Sequence, residues 1–140
     1  MMKGKRIDEL HVGDCAEQTD EILLENAIKY AAITRDNNPI HFDTDEAHCS
    51  RYGKPIAHGM ILAGFISGVI GSALPGFGCI YESQDMTFLC PVYYGDVITT
   101  RVTVKECIPE RNRVVLSTEC FNQKQERVLK GKAIVLPRKD

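Results

Sequence analysis

Apolar residues recur at helical spacing early in the chain and alternate with polar residues in its last third. Small and apolar side chains fall on one helical face between positions 23 and 34, which predicts a helix over residues 20–34. Thr19 is the expected N-cap. Asp20 and Glu21 would occupy the first turn, where the helix dipole favours acidic side chains. One further short turn of helix is expected at residues 43–48.

Residues 56–74 form the most apolar segment and predict a second, buried helix. The segment is nearly long enough to cross a membrane, but it contains a histidine, two serines and four glycines, which favours burial in protein. Gly64, Gly68 and Gly71 share one helical face with Ser67. Each glycine costs up to about 1 kcal/mol of helix stability relative to alanine. This small-residue face is therefore expected to allow close approach of a sheet or a ligand.

Strand patterns follow the second helix and predict an antiparallel meander. Apolar and more polar side chains alternate over residues 98–104 and 114–120, and residues 128–136 form a last strand. Residues 78–89 give a further strand with a less regular pattern. Helices and strands that segregate along the chain in this way predict the α+β class.

Length and composition predict one globular domain over residues 1–140, with a core of useful size. The net charge of −2 gives no basic footprint, so nucleic acid is not an expected partner. The N-terminus has no apolar stretch of the secretory kind. The six cysteines are widely spaced without a Cys-x-x-Cys pair, which favours reduced thiols and a cytoplasmic location.

A zinc site is a conceivable use of four potential ligands, His41, His48, Cys49 and His58. Their spacing fits no standard zinc pattern, so no metal ligand is predicted.

The candidate chemistry lies in the stretch Asp-Asn-Asn-Pro-Ile-His at residues 36–41. Proline fixes its own backbone and favours an extended conformation at Asn38. Asp36 and His41 are thereby held in one constrained loop, where a carboxylate and an imidazole can exchange protons near neutral pH. The alternative is that Asp36 only ends a helix and that His41 is an ordinary surface residue.

Residues 30–41, followed by Asp-Glu-Ala at 45–47, resemble the hydratase signature of the MaoC-like family, which includes the (R)-specific enoyl-CoA hydratases. The Pro-Ile-Ala-His-Gly-Met segment at 55–60 resembles that family's turn into its central helix, and residues 78–91 and 94–96 resemble its later strand and turn. The resemblance implies a hotdog fold, with an antiparallel sheet wrapped around the central helix. An N-terminal strand near residues 7–12 would complete the sheet.

The same resemblance implies reversible hydration of trans-2-enoyl-CoA to (3R)-3-hydroxyacyl-CoA, without a metal or redox cofactor. Asp36 and His41 would be the acid–base pair. The Gly59 N–H would stabilise negative charge on the thioester oxygen, unless Gly59 only eases a tight turn. Ser67 would position water or substrate, or only bond the backbone one turn back. Asn38 would hold the water or shape the turn.

Other functions remain open at this point. The same chemistry could act on acyl-carrier-protein substrates, as in a 3-hydroxyacyl-ACP dehydratase. A hotdog acyl-CoA thioesterase would cleave the thioester, and an acyl-CoA sensor would do no chemistry. Both Asp36 and His41 are retained, and such a proton-transfer pair favours a hydratase over these two.

Three further expectations concern the partner, the coenzyme and one departure from the family pattern. A single hotdog sheet leaves exposed edges, which predicts a homodimer or an oligomer built from dimers.

Arg51 and Lys54 are candidates for contacts with coenzyme phosphates, and His58 is expected to be structural. Arg35 stands where the family usually has glycine. It would cost roughly 1 kcal/mol if the backbone there is left-handed.

Overall fold

The computed structural model describes residues 2–140, which form five antiparallel strands and three α-helices. In spatial order the strands run β1, β3, β4, β5, β2, so that β1 and β2 are the two edges of the described sheet. The strands are β1 (Cys15–Glu21), β2 (Ile80–Phe88), β3 (Val97–Ile108), β4 (Arg113–Phe121) and β5 (Arg127–Leu136).

The helices are α1 (Leu24–Thr34), α2 (Asp45–Cys49) and α3 (Gly59–Ser72). The apolar side of α3 contributes Ile66, Val69 and Ile70 to a core that the sheet closes with side chains such as Val102 and Leu116. The sheet therefore packs around a central helix, which confirms the predicted α+β class and hotdog arrangement. Among residues 2–140, no helix is both long and apolar enough to span a membrane.

The N-terminal part of the prediction is wrong in two places. Residues 15–21 form strand β1, which pairs with β3 in the register Thr19↔Thr99, so that Thr19 and Asp20 are not at a helix start. The helix begins at Leu24, and the Asn26 side chain accepts a hydrogen bond from the Leu23 N–H at 2.7 Å. Thr19 has the local chemistry of a helix N-cap, but backbone hydrogen bonds to the edge of β3 stabilise a strand at this position instead.

The strand expected near residues 7–12 is also absent from the described structure. Ile7–Glu9 form a short 3-10 helix instead, and Leu10 is buried in the core. Apolar residues three positions apart suit such a turn better than a strand, which would require alternation.

The small-residue face of α3 does not lie against the sheet. A side-chain carbon added at Gly64, Gly68 or Gly71 would meet no described atom within 4 Å outside the immediate helix backbone. Ser67 is exposed on the same face. The predicted close approach of the sheet to these glycines is therefore wrong within the described chain, because the larger apolar side chains occupy the side that faces the sheet. Close approach of a ligand stays a prediction.

Close backbone approach occurs instead at Gly131 in β5. A side-chain carbon at this position would lie 2.1 Å from the Asp85 carbonyl oxygen on the neighbouring strand β2. The Gln84 side chain also crosses this point and donates hydrogen bonds to the Asp85 carbonyl at 2.7 Å and to Thr118 Oγ1 at 2.8 Å. Gly131 therefore gives β2 its place at the edge of the sheet.

Candidate active site

The loop that carries Asp36 begins with a left-handed residue. Helix α1 ends at Thr34, and Arg35 adopts φ 65° while its N–H donates to the Ala31 carbonyl at 2.8 Å. The Asp36 N–H donates to Thr34 Oγ1 at 3.2 Å. This cap turns the chain sharply and leaves the Asp36 side chain partly exposed at the end of the helix.

Asn38 shapes the next turn. The Asp36 carboxylate accepts a hydrogen bond from the Asn38 N–H at 3.3 Å, and the Asn38 side chain accepts one from the Ile40 N–H at the same distance. Pro39–His41 then form one turn of 3-10 helix. The observed contacts of Asn38 are those of a turn residue, which is the structural alternative that the sequence left open.

The His41 ring is held by the segment that leads into α3. Its Nδ1 lies 2.8 Å from the Ile56 carbonyl oxygen, and a carbonyl can only accept. Nδ1 therefore carries the proton, and the neutral ring keeps an unprotonated Nε2. The Tyr94 hydroxyl donates to the His41 carbonyl at 2.6 Å and to the Ile56 carbonyl at 3.3 Å, which ties both segments together.

Burial sets the protonation state of His41. Loss of solvent around the half-buried ring lowers its pKa from the usual 6.5, although the Ile56 carbonyl and the Asp36 charge act in the opposite direction. A lowered pKa keeps the imidazole neutral at pH 7. The ring can then accept a proton at Nε2.

His58, which was expected to be structural, lies against both Asp36 and His41. Its side chain is only 2% exposed, and its ring stacks on that of His41 with centroids 3.8 Å apart. His58 Nε2 lies 3.0 Å from the Asp36 carbonyl oxygen. Its position directly before the glycine that opens the central helix was a usable signal, since that turn belongs to the same family motif.

Asp36, His41 and His58 each offer one polar atom, and these atoms all lie within 4.8 Å of one another. One water molecule can bridge a carboxylate and an imidazole at such a separation. Ligands of a tetrahedral zinc ion lie about 3.4 Å apart, so the group is loose for a metal. Two other residues considered for zinc lie elsewhere: His48 contacts Asp43 at 2.6 Å, and Cys49 is exposed.

A cavity of about 380 Å³ opens beside the His41 ring. Its walls combine apolar side chains with polar atoms and include one cation, Arg51, whose guanidinium lies over the Tyr52 ring at 5.1 Å. The lining comprises His41, Arg51, Tyr52, Ile56, Ala57, Gly59, Met60, Leu62, Phe88, Leu89, Cys90, Pro91 and Val92. Such a cavity suits an acyl chain with a polar group at one end.

Gly59 lies in the cavity wall as the first residue of α3. An N–H at this helical position has no partner within the helix and lies at the positive end of the dipole. A side-chain carbon on Gly59 would lie 2.8 Å from the Phe88 ring. The small size of Gly59 therefore serves packing against Phe88 as well as access to its N–H, a neighbour that the sequence did not indicate.

Ser67 and Lys54 are not among the residues that line this cavity. Ser67 is exposed on the outer face of α3, eight positions beyond Gly59. The Lys54 ammonium lies over the Tyr93 ring at 4.2 Å. Of the five predicted site residues, the structure brings Asp36, His41 and Gly59 to one region, gives Asn38 a turn role, and leaves Ser67 outside.

Comparisons with known proteins agree with this geometry. The family model for the MaoC like domain matches residues 13–123. A 3-hydroxybutyryl-CoA dehydratase of Methylorubrum extorquens is 41% identical over 134 residues, covering 95% of this chain and 85% of that protein. An (R)-specific enoyl-CoA hydratase of Rhodospirillum rubrum is 36% identical over 129 residues, covering 92% and 89%.

The solved structure of R-hydratase PhaJ1 from Pseudomonas aeruginosa, in its unliganded form, superposes with a TM-score of 0.92 at 36% identity. The match covers 98% of this chain and 88% of that one. Because the family model matches most of this chain, the chain belongs to the family of proteins that contain a MaoC-like domain.

Proposed function

We propose that this chain is a hydro-lyase that adds water reversibly to trans-2-enoyl-CoA and forms (3R)-3-hydroxyacyl-CoA. The observation that carries the proposal is the pairing of Asp36 with a neutral His41, whose polar atoms lie within 4.8 Å of each other. His41 also lines a cavity with room for an acyl chain. The printed activities of the relatives, a dehydratase and an (R)-specific hydratase, support the same reaction.

In the proposed reaction, one water molecule lies between the Asp36 carboxylate and His41 Nε2. As the water oxygen bonds to C3 of the enoyl group, one member of the pair takes a proton from the water. The pair delivers a proton to C2, so that both groups return to their starting states. Proton transfer by positioned groups contributes about 10²–10⁴-fold to such a rate.

The Gly59 N–H is the proposed donor to the thioester oxygen, where negative charge develops as water attacks C3. Its place at the first helical position leaves the N–H free of an intrahelical partner. One donor of this kind contributes about 3 kcal/mol to transition-state stabilisation. Ser67 remains a proposed substrate-binding residue, and it is exposed on the outer face of α3, outside the cavity lining. Asn38 serves by holding the turn between Asp36 and His41.

The decisive experiment is a panel of trans-2-enoyl-CoA substrates of rising chain length, with loss of the conjugated double bond followed by absorbance. We expect hydration without release of free thiol. Coupling to dehydrogenases of opposite stereospecificity should identify the product from crotonyl-CoA as the (3R) alcohol. A purely (3S) product would contradict the assignment, and free CoA release without hydration would favour a thioesterase.

The assembly, location and domain organisation belong to the same proposal. Edge strand β2 and the open glycine face of α3 support a homodimer, since both offer surface that a second copy can cover.

Six unpaired cysteines suit a reducing compartment such as the cytoplasm, and acyl-CoA hydration suits fatty acid metabolism. The shared core of α3 and the sheet supports one domain over residues 1–140.

A further inference from the structure

We infer that His58 is a positioning residue for the proposed hydration, which holds the Asp36 backbone and supports the His41 ring from one face. The inference rests on the proposed function. It concerns a side chain that donates no proton to substrate and does not line the cavity. His58 is the N-cap of α3, so it also links the helix start that carries Gly59 to the loop that carries the acid–base pair.

Hydrogen bonding defines the tautomer of His58. Nε2 lies 3.0 Å from the Asp36 carbonyl oxygen, which can only accept, so Nε2 carries a proton. Nδ1 is buried, and it has no hydrogen-bond partner among residues 2–140. A proton on Nδ1 would bury a second N–H without an acceptor beside another imidazole, which is unfavourable. The geometry therefore fixes a neutral ring with its proton on Nε2.

The His58 ring stacks on the His41 ring and restricts its orientation. The two imidazoles lie 3.8 Å apart at 28°, and the Tyr30 ring contacts His58 at 4.6 Å from another side. His41 is thus constrained by a ring on its face and by the Ile56 carbonyl at Nδ1. With both constraints in place, Nε2 of His41 can point in few directions. The edge of Phe42 completes the enclosure of His58 at 6.0 Å.

The charge of His58 matters as much as its position. The titratable groups that face it are Asp36, His41 and Tyr30. If His41 is the member of the pair that takes the proton, its ring becomes positively charged, and a second charge on a stacked ring would oppose that step. A neutral His58 gives mechanical support without this repulsion.

Two substitutions separate the hydrogen bond from the ring. His58→Gln keeps an N–H donor at about the reach of Nε2 but removes the stack, whereas His58→Phe keeps a stacking ring but removes the donor. We expect His58→Phe to lower kcat by at least about tenfold with KM within about threefold, because small misplacements of catalytic groups act on kcat. The decrease in kcat should be smaller in His58→Gln than in His58→Phe. His48→Gln, at an exposed histidine bonded to Asp43, is the matched control and should leave kcat unchanged.

Folded His58→Phe with wild-type kcat would overturn the inference. Losses above about 10³-fold in both variants would also overturn it, because they would make His58 a proton donor or acceptor in its own right. Long-range ¹⁵N–¹H NMR of the wild-type protein tests the inference without any activity assay. We expect His58 to remain in the Nε2–H form at pH 7, and a doubly protonated or Nδ1–H ring would contradict the assignment. If wild type showed this tautomer but no hydration, the proposed function would fail and the positioning contact would stand.

Discussion

The His41 side chain owes its chemical state to two contacts and to burial. The Ile56 carbonyl fixes the proton on Nδ1, the His58 ring covers one face, and burial lowers the pKa. Asp36, by contrast, is held by local turn hydrogen bonds and by the bond from His58 to its backbone. The two members of the proposed pair are therefore positioned by different means, so they respond differently to mutation.

Removal of either member of the pair should abolish most of the turnover. We expect Asp36→Asn and His41→Ala each to lower kcat for crotonyl-CoA by at least about 10²-fold, because proton transfer then lacks one partner. Circular dichroism and thermal unfolding should show that both variants fold. His48→Ala, at an exposed position away from the cavity, serves as the control. Near-native turnover in either site variant would refute the acid–base pair.

The lowered pKa of His41 predicts the pH dependence of both activity and stability. If neutral His41 is required, the acid limb of the kcat/KM profile should lie below pH 6.5. The folded chain then binds fewer protons at His41 than the unfolded chain. The contribution of this group to the unfolding free energy is therefore complete above pH 6.5 and is lost as pH falls through the folded pKa.

NMR titration of the His41 ring, compared with the kinetic profile, checks this expectation. A kinetic acid limb that lies well above pH 6.5 would show that another group controls the step.

Arg35 adopts a left-handed backbone that glycine accepts more easily. At φ 65° a residue with a side chain is strained by roughly 1 kcal/mol, partly offset by the favourable contact of a cation with the helix C-terminus. Arg35→Gly should therefore leave stability unchanged or raise it by up to about 1 kcal/mol, with kcat within about threefold. Urea unfolding and crotonyl-CoA kinetics measure these two quantities.

Lys29→Gly provides a control within the same helix, at an exposed position with ordinary helical geometry. It should lower stability by about 1 kcal/mol, because glycine is a poor residue inside a helix. A collapse of kcat in Arg35→Gly would show that Arg35 takes part in the chemistry. A rise in KM alone would instead indicate a contact with the coenzyme.

At the scale of elements, two glycines that look alike in the sequence have opposite surroundings. Gly131 lies where β2 pairs with β5 so closely that a side-chain carbon would lie 2.1 Å from the Asp85 carbonyl. Gly64 in α3 faces open space in the described chain. The first is required by contact between strands, whereas the second only weakens its helix.

This contrast gives a paired stability test. Gly131→Ala should lower the unfolding free energy by about 1–3 kcal/mol, because the edge strand must move away from β5. Gly64→Ala should raise the stability of the monomer by up to about 1 kcal/mol, since alanine favours the helix. Urea unfolding at several protein concentrations separates folding from assembly. A clear loss of stability in Gly64→Ala would show that another molecule covers this face.

The whole molecule leaves one edge of its sheet beside the proposed site. Strand β2 ends at Phe88, which lines the cavity and packs on Gly59. The β2 edge also carries Ile80, which is 63% exposed. An exposed edge strand favours pairing with another strand, and a second copy paired there would lie close to the cavity that Phe88 lines.

Light scattering should therefore give a mass of at least twice the 15.6 kDa of one chain at micromolar concentration. Ile80→Lys should weaken the assembly, because a charge on an edge strand opposes pairing. Val12→Lys, at a residue that is 68% exposed and outside the strands, should leave the mass unchanged. A monomeric wild-type protein would contradict the proposed dimer.

The amino-acid sequence by itself determined the features that depend on neighbouring residues. Periodicity predicted α3 and the meander from β3 to β5, and the restricted backbone around Pro39 predicted a fixed loop between Asp36 and His41. Resemblance added the hotdog arrangement. These features follow from local sterics and from the spacing of apolar residues, both of which can be derived from the sequence alone.

Only the tertiary structure decided which distant residues meet. Residues 20 and 21 joined an edge strand because β3 offered hydrogen-bond partners, against local signals for a helix. His58 lies 22 positions from Asp36 in the chain, yet it bonds to its backbone and stacks on His41. The orientation of the α3 glycines and the contact of Phe88 with Gly59 were decided in the same way. Such contacts arise when helix and sheet are packed together, and no local pattern encodes the choice of partner.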